Sequence, residues 1–168
     1  ERHVGVPRCT SNRDELKLVH EALVKAKPYW RTFGVDSITK LVSGEADVAQ
    51  TWSGSAVVIR QQMPSVEFAI TREVMEAFSD NVAVLKGAPN LENAKLFQNF
   101  VMAPENAALT SEFAGYANAI KGSEAFLSDE LKTAPELNVP ADSPTEFVPP
   151  CSPEVTQLYN AMWTELRR

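Results

Sequence analysis

Hydrophobic spacing divides the chain into alternating helical and strand-like stretches. Leu16, Val19, Ala22, Leu23 and Ala26 recur every three or four residues and predict a helix. Ser11 or Asn12 is placed to cap it, with Asp14 or Glu15 three residues on completing a capping box. Pro28 ends that run, because its ring cannot continue a helix. Residues 29–33, Tyr-Trp-Arg-Thr-Phe, are rich in β-formers and read as a strand or an extended segment. Asp36 then caps a brief helix over Ser37–Val42, closed by Gly44.

Residues 44–60 carry the most informative pattern, Gly-Glu-Ala-Asp-Val-Ala-Gln-Thr-Trp-Ser-Gly-Ser-Ala-Val-Val-Ile-Arg. They predict a turn at Gly44 and Glu45, a short strand over 47–51, a tight bend at Ser53 and Gly54, and a helix from Ser55 to about Gln62, stopped by Pro64. Trp52 falls at the carboxyl end of that strand, where open α/β sheets present side chains to ligands. Residues 66–70 and 81–85 read as further strands, whereas 71–79 reads as either a loop or a short helical turn.

Two helices follow. Asn90 caps the first, with Ala94, Leu96, Phe97, Phe100 and Val101 as its buried stripe. Pro104 opens the second, which runs to about Gly115 with Ala107, Ala108, Leu109 and Phe113 inward. From 117 to 150 the pattern loosens to at most a short helical piece near 123–132, and 133–150 reads as a Pro-rich surface segment. Pro153 opens a final amphipathic helix over 152–166 carrying Val155, Leu158, Tyr159, Met162, Trp163 and Leu166. Helices alternating with short strands define an α/β class, and a length of 168 residues favours a single domain.

Composition narrows the function classes. The apolar fraction of 44% and charged fraction of 23% are those of an ordinary globular protein. A net charge of −6 argues against a general nucleic-acid-binding surface and is compatible with a cationic ligand. No apolar run reaches the ~18 residues needed to span a bilayer. The chain begins at Glu1 without an initiator Met or apolar leader, and so reads as a processed protein, a fragment or a trimmed form. Cys9 and Cys151, each flanked by proline and polar residues, read as a bridge between the two ends, the alternative being two unrelated thiols. A bridge places the chain in an oxidising compartment.

Signatures of catalysis are absent: there is no GxSxG, P-loop, GxGxxG, HExxH or CxxC. His3 lies in a ragged terminus and His20 on a polar helix face, which leaves no histidine triad. Glu73 and Glu76 read as an exposed charged turn in preference to an acid/base pair. No cofactor is implied, and the chain is not expected to be an enzyme. Trp52, Phe78, Asp80 and Tyr116 instead fall at predicted element ends, outside regular core stripes. Asp80 suits either a strand cap or a ligand counter-ion, and Tyr116 either a packed phenol or a site aromatic.

Taken in order, residues 44–56, Phe-Ser-Asp-Asn-Val-Ala-Val at 78–84, the helix at 89–100 and Phe-Ala-Gly-Tyr at 113–116 resemble the spermidine/putrescine-binding proteins. These are the periplasmic solute-binding components of polyamine-type ABC importers. The match runs from about Thr10 to Tyr116. The resemblance implies a type II periplasmic-binding-protein fold of two α/β lobes closing on a small solute. This chain corresponds to the second lobe, so a first lobe would lie upstream and an isolated lobe is open to self-association. The implied partners are a polyamine or related amine and an inner-membrane ABC permease, in the periplasm or, in a Gram-positive organism, at the outer face of the membrane. Carried over residue by residue, Trp52 packs on polyamine methylenes, Asp80 pairs with an ammonium group, Tyr116 lies near the site, and Phe78 stands where the family has tryptophan.

The chain departs from the family at 70–77, Ile-Thr-Arg-Glu-Val-Met-Glu-Ala, in place of a Pro-Lys-Glu-Gly loop. Arg72, if directed inward, opposes a dication and shifts the expected ligand toward another amine or an amino-acid-like compound. A second reading makes Ser53, Gly54 and Ser55 a helix N-terminus that receives an anionic or zwitterionic solute. A third treats the chain as a non-binding interaction module with Trp52 in its core.

Overall fold

Side-chain caps open only some of the helices: Asp36 and Asn90, expected to cap theirs, occupy the N-cap positions but make no side-chain capping hydrogen bond. In the computed structural model, which describes all 168 residues, α1 spans Arg13–Ala26, α2 Ser37–Val42, α3 Ser53–Gln62, α4 Leu91–Val101, α5 Pro104–Ala114, α6 Asp129–Lys132 and α7 Pro153–Leu166. Asn12 caps α1, its Oδ1 accepting from the N–H groups of Asp14 at 2.9 Å and Glu15 at 3.4 Å. Short 3₁₀ turns occupy Arg2–Val4, Lys27–Tyr29 and Ser123–Phe126. None of the helices is long and apolar enough to cross a membrane.

The protein is α/β, but its sheet is small. Two strands, β1 Met75–Ala77 and β2 Thr145–Phe147, pair in parallel with Glu76 opposite Glu146. The strands expected at 47–51, 66–70 and 81–85 are absent, and 29–33, read as a strand or an extended segment, forms no strand. A strand exists only when a neighbour completes its ladder, and none of these segments finds one. β1 lies instead inside 71–79, where sequence reading favours a loop or a helical turn.

The chain divides into two compact units, Glu1–Phe33 with Thr71–Phe78 and Asp142–Arg168, and Gly34–Ile70 with Ser79–Ala141. In the first unit α1 packs on α7, burying Leu16 and Val19 of one and Val155 and Leu166 of the other. Each such side chain contributes about 1.5–3 kcal/mol relative to exposure. Cys9 and Cys151 form a disulfide with Cα atoms 5.2 Å apart, tying the N-terminal segment to the start of α7. His20 is half-buried, not solvated, with Nε2 3.7 Å from the Glu165 carboxylate. Two like charges stand opposite one another at Glu76 and Glu146, and arginines neutralise them. Arg8 reaches Glu76 at 2.8 Å and Glu146 at 3.4 Å, and Arg2 reaches Glu146 at 2.7 Å.

In the second unit Val57 of α3 is buried with Leu131 and Ala134, and Leu127 and Leu137 pack around them. Residues 117–150 therefore contribute to the core as well as to the surface. Within 133–150, Ala134 and Glu136 are buried and most of the rest is exposed. The helix at α4 forms where the pattern predicts, but it buries no residue. Leu96, Phe97 and Phe100 remain exposed, as do Leu109 and Phe113 of α5, whose buried side is Ala107, Ala108 and Ser111. Apolar spacing marks a face able to pack; it does not supply the element that covers it.

Candidate functional site

The first turn of α3 begins earlier than the sequence implies. Trp52 is the N-cap residue, so Ser53, Gly54 and Ser55 all lie within the helix, and the expected bend at Ser53 and Gly54 is absent. Trp52 contributes backbone only: its carbonyl accepts from the Ala56 N–H at 3.0 Å, and its indole is 47% exposed, against the reading that places it in a core. No side chain caps this helix. The segment before it is anchored by a 2.7 Å hydrogen bond between the Ser37 and Thr51 hydroxyls, which ties it to the start of α2.

Tyr116 lies directly on Gly54. Any Cβ at Gly54 would overlap the Tyr116 ring, so the phenol packs on bare backbone. Gly115 makes that approach possible. It takes the left-handed conformation with φ 73°, which ends α5, and a Cβ there would fall 2.7 Å from the Gly54 carbonyl oxygen and 3.1 Å from Val57 Cβ. The two glycines bring the end of α5 against the start of α3. Trp52, Ser53, Ser55 and Tyr116 thus belong to one local cluster.

Two polar clusters that sequence reading missed hold this region. Asn118 donates to the Ser111 hydroxyl at 2.8 Å and accepts from the Ser123 hydroxyl at 2.9 Å and the Ile120 N–H at 2.9 Å. Ser111 and Ser123 are buried, and the knot fixes the chain two residues beyond Tyr116. Arg60, near the end of α3, makes a two-pronged contact with Glu136, Nε to Oε1 at 2.9 Å and Nη2 to Oε2 at 3.2 Å. The Glu136 side chain is 1% exposed. Its hydrogen bond raises the Arg60 pKa, against the lowering effect of burial. Nothing local marks a pair 76 residues apart.

The remaining expected residues lie elsewhere. Asp80 is exposed and makes no hydrogen bond or ion pair within the protein. It does not cap a strand, since none forms at 81–85. That stretch is held to α4 by the Gln98 amide, which donates to the Val82 carbonyl at 3.0 Å. Phe78 falls in the first unit, half exposed, just beyond β1. Arg72 is exposed. Glu76 pairs with Arg8, and exposed Glu73 lies 4.0 Å from His3.

The first unit holds a cavity of about 570 Å³, with Val19, Leu23, Met162 and Trp163 among its apolar walls. Tyr159 lines it too. Its hydroxyl donates to the Glu1 carboxylate and accepts from the Cys9 N–H at 3.1 Å. Burial first, then the Glu1 carboxylate, pushes its pKa up to about 12. On Glu146 the Arg2 hydrogen bond holds the carboxyl below its ordinary range.

These features present aromatic surface and serine hydroxyls at the start of α3. The chain is 23% identical to a putrescine/agmatine-binding protein of Pseudomonas aeruginosa, over 98% of its own length and 47% of that protein. It is 26% identical to the putrescine-binding periplasmic protein of Escherichia coli, over 96% of its length and 46% of that protein. With the spermidine/putrescine-binding periplasmic protein of Salmonella typhimurium the figures are 28%, 77% and 38%. The chain thus spans about half the length of the curated relatives it matches, or less. The family is one of solute-binding proteins and not of enzymes. Its model, described as bacterial extracellular solute-binding protein, matches residues 5–139, and the chain belongs to that family.

Proposed function

We propose that this chain is the second lobe of a two-lobe solute-binding protein that captures a small cationic solute, of polyamine type, and delivers it to an ABC permease in the membrane. The periplasm, or the outer face of a Gram-positive membrane, is the corresponding location, and the Cys9–Cys151 disulfide fits an oxidising compartment. The observation that carries the reading is the half-exposed Trp52 at the start of α3, beside a Tyr116 ring seated on Gly54. Methylene chains need flat apolar walls, and ammonium groups gain about 0.5–2 kcal/mol from each aromatic face they approach. Asp80 of the same unit, exposed and without a hydrogen bond or ion pair, supplies the carboxylate.

Titration with spermidine and putrescine, read by Trp52 fluorescence in a Trp30→Phe/Trp163→Phe background, tests this. One lobe supplies only part of the contacts, so the isolated chain should bind weakly and Asp80→Asn should weaken it further. Sub-micromolar binding by the isolated chain contradicts the single-lobe reading, and a response unchanged by Asp80→Asn contradicts the amine reading.

The first turn of α3 has no side-chain cap, which favours one alternative: a carboxylate or phosphate at the N–H groups of Ser53, Gly54 and Ser55. Asp80→Asn separates the two, since it harms amine binding and leaves anion binding intact or improved.

A further inference from the structure

Two acidic side chains oppose one another across the small sheet of the first unit. β1 and β2 are three residues each and pair in parallel, with Glu76 opposite Glu146. Like charges at opposed positions weaken a pair of strands, and two strands this short are marginal by themselves. Arg8 is the cation that reaches both carboxylates, Glu76 at 2.8 Å and Glu146 at 3.4 Å. Arg2 meets Glu146 only, so neutralising Glu76 falls to Arg8. The Arg8 side chain is 18% exposed, which sets this contact apart from an ordinary surface ion pair.

What keeps Arg8 in place is the residue after it. Cys9 has φ 58°, a left-handed conformation that a residue other than glycine adopts only where its surroundings hold it. Two contacts do so. The Cys9 N–H donates to the Tyr159 hydroxyl at 3.1 Å, and the Cys9 sulfur is bonded to Cys151, which lies just beyond β2. Only the second is covalent, and it is the one that a change of redox state removes. Upstream, buried Val6 anchors the segment independently of both.

We propose that the Cys9–Cys151 disulfide is a redox-sensitive clamp on the β1–β2 pair: oxidised, it holds Arg8 between Glu76 and Glu146, and reduced, it lets Arg8 leave and the strands part. A dithiol carries out the opening by thiol–disulfide exchange. The Cys9–Cys151 S–S bond breaks, the two sulfurs take up two electrons and two protons, and the dithiol is left as its own disulfide. Cys9 then returns to a negative φ, which swings Arg8 away from Glu76. Glu76 and Glu146 are left facing one another with Arg2 alone beside them. The packing of Leu16 and Val19 on Val155 and Leu166 uses none of these groups, so α1 and α7 stay together while the sheet opens. An oxidising compartment keeps the clamp closed, and this holds whether or not the chain binds a polyamine.

Nuclear Overhauser contacts in the 168-residue chain, measured without denaturant and with or without dithiothreitol, test this. The reporter is the cross-strand contact of Met75 with Thr145, its register partner, and the control is the set of contacts between α1 and α7. On reduction the Met75–Thr145 contact should be lost, together with the hydrogen bond from the Met75 N–H to the Pro144 carbonyl, while the α1–α7 contacts persist. Arg8→Gln should lose the same cross-strand contact in the oxidised chain. Glu76→Gln removes the opposed charge and should keep the contact in both redox states, which also carries the test if Arg8→Gln does not fold. A Met75–Thr145 contact that survives reduction in the parent chain, or that persists in folded, oxidised Arg8→Gln, overturns the proposal. So does loss of the α1–α7 contacts along with it, because the disulfide then supports the whole unit and not the sheet. Loss on reduction in Glu76→Gln equal to that of the parent also overturns it, since charge is then not what parts the strands.

Discussion

Removing Arg60 should damage the second unit more than removing Glu136, even though the two share one ion pair. The Glu136 side chain is 1% exposed and that of Arg60 24%. In Arg60→Met the carboxylate stays buried with its counter-ion gone, a situation that costs about 3–5 kcal/mol. In Glu136→Leu the guanidinium can turn toward solvent, so a loss of about 1–2 kcal/mol is expected, nearer that of a charged hydrogen bond. The double variant Arg60→Met/Glu136→Leu places apolar groups of similar volume beside Val57, Leu131 and Ala134 and should lie within about 1 kcal/mol of the parent. The coupling energy is then several kcal/mol, well above the ~0.5 kcal/mol at which independent sites add. Trp52 is the sole tryptophan of the second unit, so urea unfolding followed by its fluorescence in the Trp30→Phe/Trp163→Phe background reads that unit alone. Additive single variants, or a larger loss in Glu136→Leu, would refute the reasoning.

Other expectations follow from single contacts. Gly54→Ala forces a methyl group into the Tyr116 ring and should cost about 1–3 kcal/mol, relieved when Tyr116→Ala is added; a neutral single variant would remove the close packing from the account. Reducing Cys9–Cys151, which are separated by 142 positions, frees a long loop and should lower unfolding free energy by up to about 5 kcal/mol; equal urea midpoints with and without reductant contradict this. Because the folded state raises the Tyr159 pKa to about 12, its contribution is fully present below pH ~10, the ordinary tyrosine value, and is lost as pH rises through about 12. Absorbance at the tyrosinate band should show a late ionisation near pH 12 that vanishes in Tyr159→Phe, and its persistence in that variant would assign it elsewhere.

Sequence by itself determined what short-range physics decides. The Asn12 cap, the Ser37–Val42 helix closed at Gly44, the Pro104 start and Gly115 stop of α5, and the Pro153 start of α7 each depend on groups within a few residues. The disulfide was also legible, because two cysteines allow only one internal pairing. The ordered motifs at 44–56, 78–84 and 113–116 pointed to the solute-binding family that the family model matches.

Tertiary structure decided everything that needs a distant partner. Residues 47–51, 66–70 and 81–85 have strand-like composition but no ladder, whereas Met75–Ala77, with no such pattern, becomes a strand because Thr145–Phe147 pairs with it. The stripe of α4 predicts burial, yet Phe97 and Phe100 stay exposed because spacing cannot say what lies opposite. At the candidate site, Trp52 and Tyr116 could be named from their neighbours in sequence. Their common dependence on Gly54 and Gly115, and the hold of Glu136 on α3 through Arg60, appear only once segments some 60 to 76 residues apart are folded together.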